Sequence, residues 1–277
     1  MASITDCVVE GLKYPFNDIK KLLGCGVLFV IFNLLSMAFT MKTLDVTRVV
    51  THAIENTNIT VSSLQFSQLP SNDIYIAIGI LVVEFIVSLF LLGYQFNVVK
   101  FSIDKKDDLP GFGNILEMFV NGVRYFIVTL VYSIPAIIVI ALGIFLVGNM
   151  SIMPVIIVIS VLLLIIAYFL LIMALNNMVA YDSLKKAFDL REIIDNIANL
   201  GWGKYIGIIL FTLIVFILIN VAVGVVLSFL TVVLAMAINQ ALALSVIITV
   251  IESLFVSSYC AVFYNRVCGS IYRESIK

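Results

Sequence analysis

Residues 100–147 read KFSIDKKDDLPGFGNILEMFVNGVRYFIVTLVYSIPAIIVIALGIFLV. A linker carrying Lys100, Lys105, Lys106 and Arg124 gives way at Tyr125 to an apolar run through Val147, long enough for an α-helix to cross the hydrocarbon of a bilayer. Working outward, the same alternation recurs. Apolar runs occupy about 22–41, 74–94, 125–147, 152–175, 205–226 and 241–263, and a long polar stretch, 42–73, separates the first two. Lys13, Lys20 and Lys21 precede the first run, Lys185, Lys186, Arg191 and Lys204 lie between the fourth and fifth, and Arg266, Arg273 and Lys277 follow the sixth. Only Lys42 and Arg48 fall on the other side. Cytoplasmic loops are the ones that retain positive charge. The chain is therefore expected to be an all-α integral membrane protein, one domain of six transmembrane helices in the plasma membrane, with both termini cytoplasmic and 42–73 as an outer loop.

Composition agrees. With 62% hydrophobic and 12% charged residues and a mean hydropathy of +1.18, the chain has more apolar surface than a water-soluble core of this size can hide. A net charge of −1 gives no basic field for nucleic acid. The cations between spans are interleaved with acids and read as orienting charges that touch anionic headgroups. Cys7, Cys25, Cys260 and Cys268 have no metal-binding spacing and His52 is the one histidine, so neither metal nor cofactor is expected, and the thiols are expected to be free. The first run is too long for a cleaved signal core, despite the small residues Ser36 and Ala38 at its end.

The fifth run stays apolar almost to Asn239 and Gln240, too long for one span, and a break is expected near Val226 with a short outer or re-entrant piece beyond it. The outer loop is expected to hold a short helix around Val46 to Asn56 and the sequon Asn58-Ile59-Thr60. Three entries into apolar runs look alike: Phe16-Asn17-Asp18-Ile19, Phe112-Gly113-Asn114-Ile115 and Leu190-Arg191-Glu192-Ile193. The second and third continue in step, with apolar residues at 112, 115, 116, 119 and 120 and at 190, 193, 194, 197 and 198, one face of a helix. They end in Arg124-Tyr125 and Lys204-Tyr205, a cation beside a phenol, the pairing that favours a headgroup boundary. Lys20 and Lys21, ahead of the first run, read as further inner-surface anchors. The expectation is an internal repeat, an amphipathic helix on the inner leaflet followed by a transmembrane hairpin, used three times.

Two acids lie within apolar runs, Glu84 and Glu252. A charge at midplane depth costs roughly 2.5–3.5 kcal/mol on insertion scales, so each should be neutral or face a polar partner, with Asn33 and Asn220 at hand. These four form the candidate buried polar site, either a bundle-locking set or a relay for protons or ions. Gly203 and Gly207 have helix-packing spacing, Pro135 and Pro154 kink or begin spans, and Asn176, Asn177, Tyr181 and Asp182 read as a solvated helix end. No nucleophile, zinc-protease or phosphate-loop motif is present, so catalysis is not expected.

Tyr14-Pro15 with Asp18 and the following lysines, Gly93-Tyr94, Leu109-Pro110 with Phe112, and Phe119 to Gly122 form a spaced pattern over the first half to two-thirds of the chain. In these residues the chain resembles an uncharacterised multi-spanning membrane family, a domain of unknown function seen chiefly in methanogenic archaea. The resemblance implies an archaeal plasma-membrane protein and assigns no activity, cofactor or catalytic residue. The chain departs from the pattern at Asp104-Lys105-Lys106, where a glycine often follows the acid. Two functions fit this reading: a non-catalytic protein that organises lipid, a membrane-protein partner or copies of itself, and a permease with a midplane site near Glu84 and Glu252.

Overall fold

The computed structural model describes residues 4–57, 71–146, 153–236, 238 and 240–276. The chain runs through α1 (Ile4–Lys13), a 3₁₀ turn (Tyr14–Asn17), α2 (Ile19–Thr57), α3 (Ser71–Ile103), α4 (Ile115–Leu146) and α5 (Met153–Ala180). There follow a second 3₁₀ turn (Leu184–Phe188), α6 (Leu190–Leu200), α7 (Trp202–Ala235), α8 (Ala241–Ile251), a π turn (Glu252–Ser257) and α9 (Ser258–Ser275). Among the described residues, six stretches are long and apolar enough to cross a membrane: Ile19–Val49, Ser71–Ile103, Ile115–Gly143, Met153–Ala180, Trp202–Ala235 and the joined Ala241–Ser275. The protein is a multi-pass, all-helical membrane protein.

Helix α3 is central, packed by α2, α4, α9 and, more lightly, α5, while α1 lies against α9 and α7. The core sits at the end of the bundle where the basic connections lie, here termed the basic end. Tyr14, Tyr94, Phe96, Leu109, Met173, Met178, Ile193, Ile197, Tyr205, Phe263 and Tyr272 are fully buried there. Toward the opposite end the helices carry exposed apolar side chains, such as Val82 on α3, Ile157 on α5 and Val225, Val226 and Phe229 on α7. Such surface suits hydrocarbon, which solvates it as well as another helix would.

Close backbone contact fixes the core. A Cβ on Gly93 would stand 1.8 Å from the Met118 carbonyl oxygen, and one on Gly122 1.8 Å from that of Leu89, so α3 and α4 cross on a pair of glycines. A Cβ on Gly269 would stand 2.4 Å from that of Ser102, and one on Gly26 2.4 Å from the Leu254 oxygen. Pro154 begins α5 and Pro135 lies inside α4.

Several helices outrun the apolar stretches that announced them. The stretch expected as an outer loop from residue 42 is helical to Thr57, and the helix expected at 46–56 is the continuation of α2. Thr40, Thr47 and Thr51 each donate to the carbonyl four residues back, and Asp45 pairs with Lys42 and Arg48, so the polar segment satisfies itself as helix. Lys42 also reaches Asp73 at the start of α3, 2.9 Å away. The sequon at 58–60 lies outside the described residues. No break falls near Val226: α7 is unbroken to Ala235. The sixth run does not end at Phe263 but continues as α9, carrying Arg266 and Arg273 into the protein.

The three similar transitions fold differently. Phe16 to Ile19 opens directly into α2, and residues 115–124 are the first turns of α4 rather than a separate helix, because Gly122 serves the crossing with α3. Only α6 stands apart, capped by Asp189 and ended at Gly201, whose φ of 91° turns the chain into α7. The expected apolar faces are only half covered. Ile193, Ile197 and Leu200 are buried on α6, while Leu190 and Ile194 are exposed, as are Ile115, Leu116 and Val120 on α4.

Candidate functional site

At the basic end a carboxylate joins the first helix to the last. The Glu10 Oε1 atom accepts from Arg266 Nε at 2.9 Å, and Oε2 accepts from an Arg273 guanidinium nitrogen at 2.7 Å. Arg266 and Arg273 stand seven residues apart on one face of α9. Further donors fasten the end of α3 and the linker after it: Arg266 donates to the Lys106 carbonyl at 2.6 Å and Arg273 to that of Ser102 at 3.1 Å. Burial alone would push the Glu10 carboxyl up, but Arg273 and Arg266 outweigh it and hold it below the usual carboxylate range. Reading Arg266 and Arg273 as solvated orienting charges is therefore corrected: Arg266 keeps 3% of its side chain exposed.

The Arg266 guanidinium lies 4.1 Å above the Tyr14 ring. The Tyr14 hydroxyl donates to the Asp108 carbonyl at 2.7 Å, and burial pushes this phenol up to about 12. Lys21 donates to the Leu109 carbonyl at 2.6 Å and pairs with Asp18 and Asp108. Phe112 stacks on Tyr94 at 4.9 Å. The spaced residues 14–21, 93–94 and 109–112 thus meet in one knot, with the Gly93–Gly122 crossing beside it. Lys105 adopts φ 58°, a conformation glycine takes without strain.

A second polar cluster lies on α5, where Asn176 and Asn177 are buried rather than a solvated helix end. Asn177 Oδ1 accepts from Tyr272 at 2.7 Å and from Asn196 at 3.3 Å, and its amide nitrogen donates to the Lys186 carbonyl. Tyr181 and Asp182 are exposed, as expected. The anchors divide. Lys20 is exposed, Lys21 is tied into the knot and Arg124 pairs with Asp182 at 2.8 Å. Lys204 is half-buried, Tyr125 packs against the core, and Tyr205 is fully buried with its hydroxyl on the Phe169 carbonyl, so neither tyrosine is a free headgroup belt.

Of the four candidates for a buried polar site, two share a cleft, and these two, Glu252 and Asn220, are exposed rather than buried. Glu252 opens the π turn and, with Asn220, Gly224, Ser228, Thr231 and Ile248, lines a space of about 200 Å³ between α7 and α8. Asn33 donates to Ser253 at 2.8 Å, one residue along from Glu252. Glu84 is half-buried on α3 and is not part of that cleft. Sequence reasoning missed Ser228 and Thr231; their signal is the 4-4-3 spacing of 220, 224, 228 and 231, which places them on one helix face. A larger apolar groove of about 610 Å³ lies nearer the basic end, between Leu12, Phe16, Ile19 and Leu23 on one side and Ile219 and Phe255 on the other.

A family model described as "Protein of unknown function (DUF4013)" matches residues 76–230, more than half the chain, from the start of α3 to near the end of α7. No curated protein and no solved structure matches.

Proposed function

Because the chain belongs to the DUF4013 family, whose function is unknown, we propose its role from its geometry: a non-catalytic membrane protein that organises lipid at the cytoplasmic face. The groove at Leu12, Phe16, Ile19, Leu22 and Leu23 carries this reading. It is apolar, as an acyl chain requires, and the neighbouring Lys13 and Lys20 are exposed, with no side-chain hydrogen bond or ion pair among the described residues, as an anionic headgroup requires. Apolar side chains from each of the three transitions, Phe16 and Ile19, Ile115 and Leu116, Leu190 and Ile194, are exposed at the same end. They suit contact with a membrane surface. The basic connections support a cytoplasmic placing of that end and of both termini, and the pattern of residues 14–122 supports an archaeal plasma membrane.

Native mass spectrometry of the protein released from lipid nanodiscs tests this. The wild type should retain phospholipid, anionic over zwitterionic. Lys13→Glu with Lys20→Glu should abolish the preference, and Leu23→Trp, which fills the groove, should remove a bound lipid. Equal retention by all three proteins would sink the reading. A second reading, a permease with a midplane site, is favoured by the cleft that Glu252 and Asn220 share; Glu84 contributes nothing to it.

A further inference from the structure

The cleft between α7 and the π turn has a chemistry set by where its hydrogen-bond donors point. Asn220 Nδ2 donates to the Phe216 carbonyl at 2.8 Å and contacts Cys260 Sγ at 3.8 Å. Ser228 Oγ donates to the Gly224 carbonyl and Thr231 Oγ1 to the Leu227 carbonyl, both at 2.7 Å. Each of the three side chains thus donates to the carbonyl four residues back on α7, and what they leave for the cleft is oxygen lone pairs. The Glu252 carboxylate makes no hydrogen bond or ion pair among the described residues, and when ionised it only accepts. No lysine or arginine lines the space.

An open cleft that offers oxygen acceptors and one carboxylate among apolar side chains, with Glu252, Asn220 and Ser228 exposed in a medium that penalises uncompensated charge, is complementary to a single positive charge. Hard oxygen ligands suit an alkali cation, and one carboxylate neutralises one unit of charge, whereas divalent sites gather more. We propose that the Glu252 cleft binds a monovalent metal cation of the sodium or potassium type, held by the Glu252 carboxylate with Asn220, Ser228 and Thr231 oxygens around it. The volume of about 200 Å³ accommodates the ion with several waters, each taking ~30 Å³. The stripe also supplies an access route. Thr231 lies four residues from the end of α7, and Asn220 lies eleven residues deeper, about 16 Å along the helix. The carboxylate begins a π turn, a rare deviation that recurs at functional sites.

Cation binding goes beyond lipid organisation and would give the permease reading its solute class, yet it is measured without flux. The test is thermal unfolding in nanodiscs, followed by the fluorescence of the single tryptophan, Trp202, in sodium, potassium or choline chloride at equal ionic strength. Sodium or potassium should raise the midpoint saturably over choline. Glu252→Gln should abolish the rise, Ser228→Ala should weaken the half-saturating concentration several-fold, and Glu84→Gln should leave it unchanged. In choline, Glu252→Gln should unfold no earlier than the wild type, which separates lost binding from lost folding. Indifference of the wild type to both salts, or an undiminished response in Glu252→Gln, overturns the assignment. So does a pH response without a salt response, which would make Glu252 a proton site, or a change of oligomer size in Glu252→Gln, which would make the cleft a contact between copies. Lipid retention by Glu252→Gln should match the wild type, so either proposal can fail alone.

Discussion

Two guanidiniums of α9 converge on the Glu10 carboxylate. Its lowered pKa means that its stabilisation is complete above the unfolded-state value of about 4.3. That stabilisation is lost as pH falls through the lower folded-state value. The thermal midpoint in detergent should therefore fall below about pH 4, and this fall should be smaller in Glu10→Gln. At neutral pH the substitution should cost about 3 kcal/mol, the low end for breaking a buried pair, because Glu10 keeps 30% of its side chain exposed. An acid profile identical in the two proteins would remove Glu10 from this role. The pairing was not legible in the sequence, since Glu10 and Arg266 are 256 residues apart and a cation after an apolar run looks like any other orienting charge. Tyr205 was misread for a related reason: a phenol beside a lysine fits a headgroup belt, and only the carbonyl of Phe169 reveals the buried alternative.

At the level of elements, existence was legible and length was not. Apolar runs marked all six spans because hydrocarbon demands them, but a helix ends where its backbone groups find other partners, not where its side chains become polar. The threonine ladder of α2 and the unbroken α7 illustrate the difference. Glycine spacing likewise showed that helices could approach without showing which ones do. The α3–α4 crossing is testable directly. Gly93→Ala and Gly122→Ala each place a methyl group against a helix carbonyl that cannot step aside, and each should cost about 2 kcal/mol or more in unfolding measurements in mixed micelles. Gly79→Ala, on the same α3 but facing open space, should be neutral or slightly stabilising. Equal effects at the three sites would mean that the crossing contributes nothing.

On the scale of the whole molecule, the charge asymmetry of the sequence reappears as an asymmetry of packing: the end that holds the cations also holds the buried core. The topology that follows can be checked with cysteines introduced at Lys105, Lys185 and Arg48, since the four native cysteines are buried. In intact cells an impermeant maleimide should label position 48 and leave 105 and 185 untouched until the membrane is opened; the reverse pattern would invert the protein. The expected repeat is the reading that the fold does not carry through, because similar local patterns settle into different tertiary surroundings. Glycine at 122 meets a neighbouring helix, whereas glycine at 201 ends one. Fastening the bundle at one end also gives it leverage. A rod the length of α2, 39 residues or about 58 Å, that swings about 5° at its foot carries its far tip sideways by about 5 Å. Small rearrangements around Glu10 would be magnified into broad motion on the other side of the membrane.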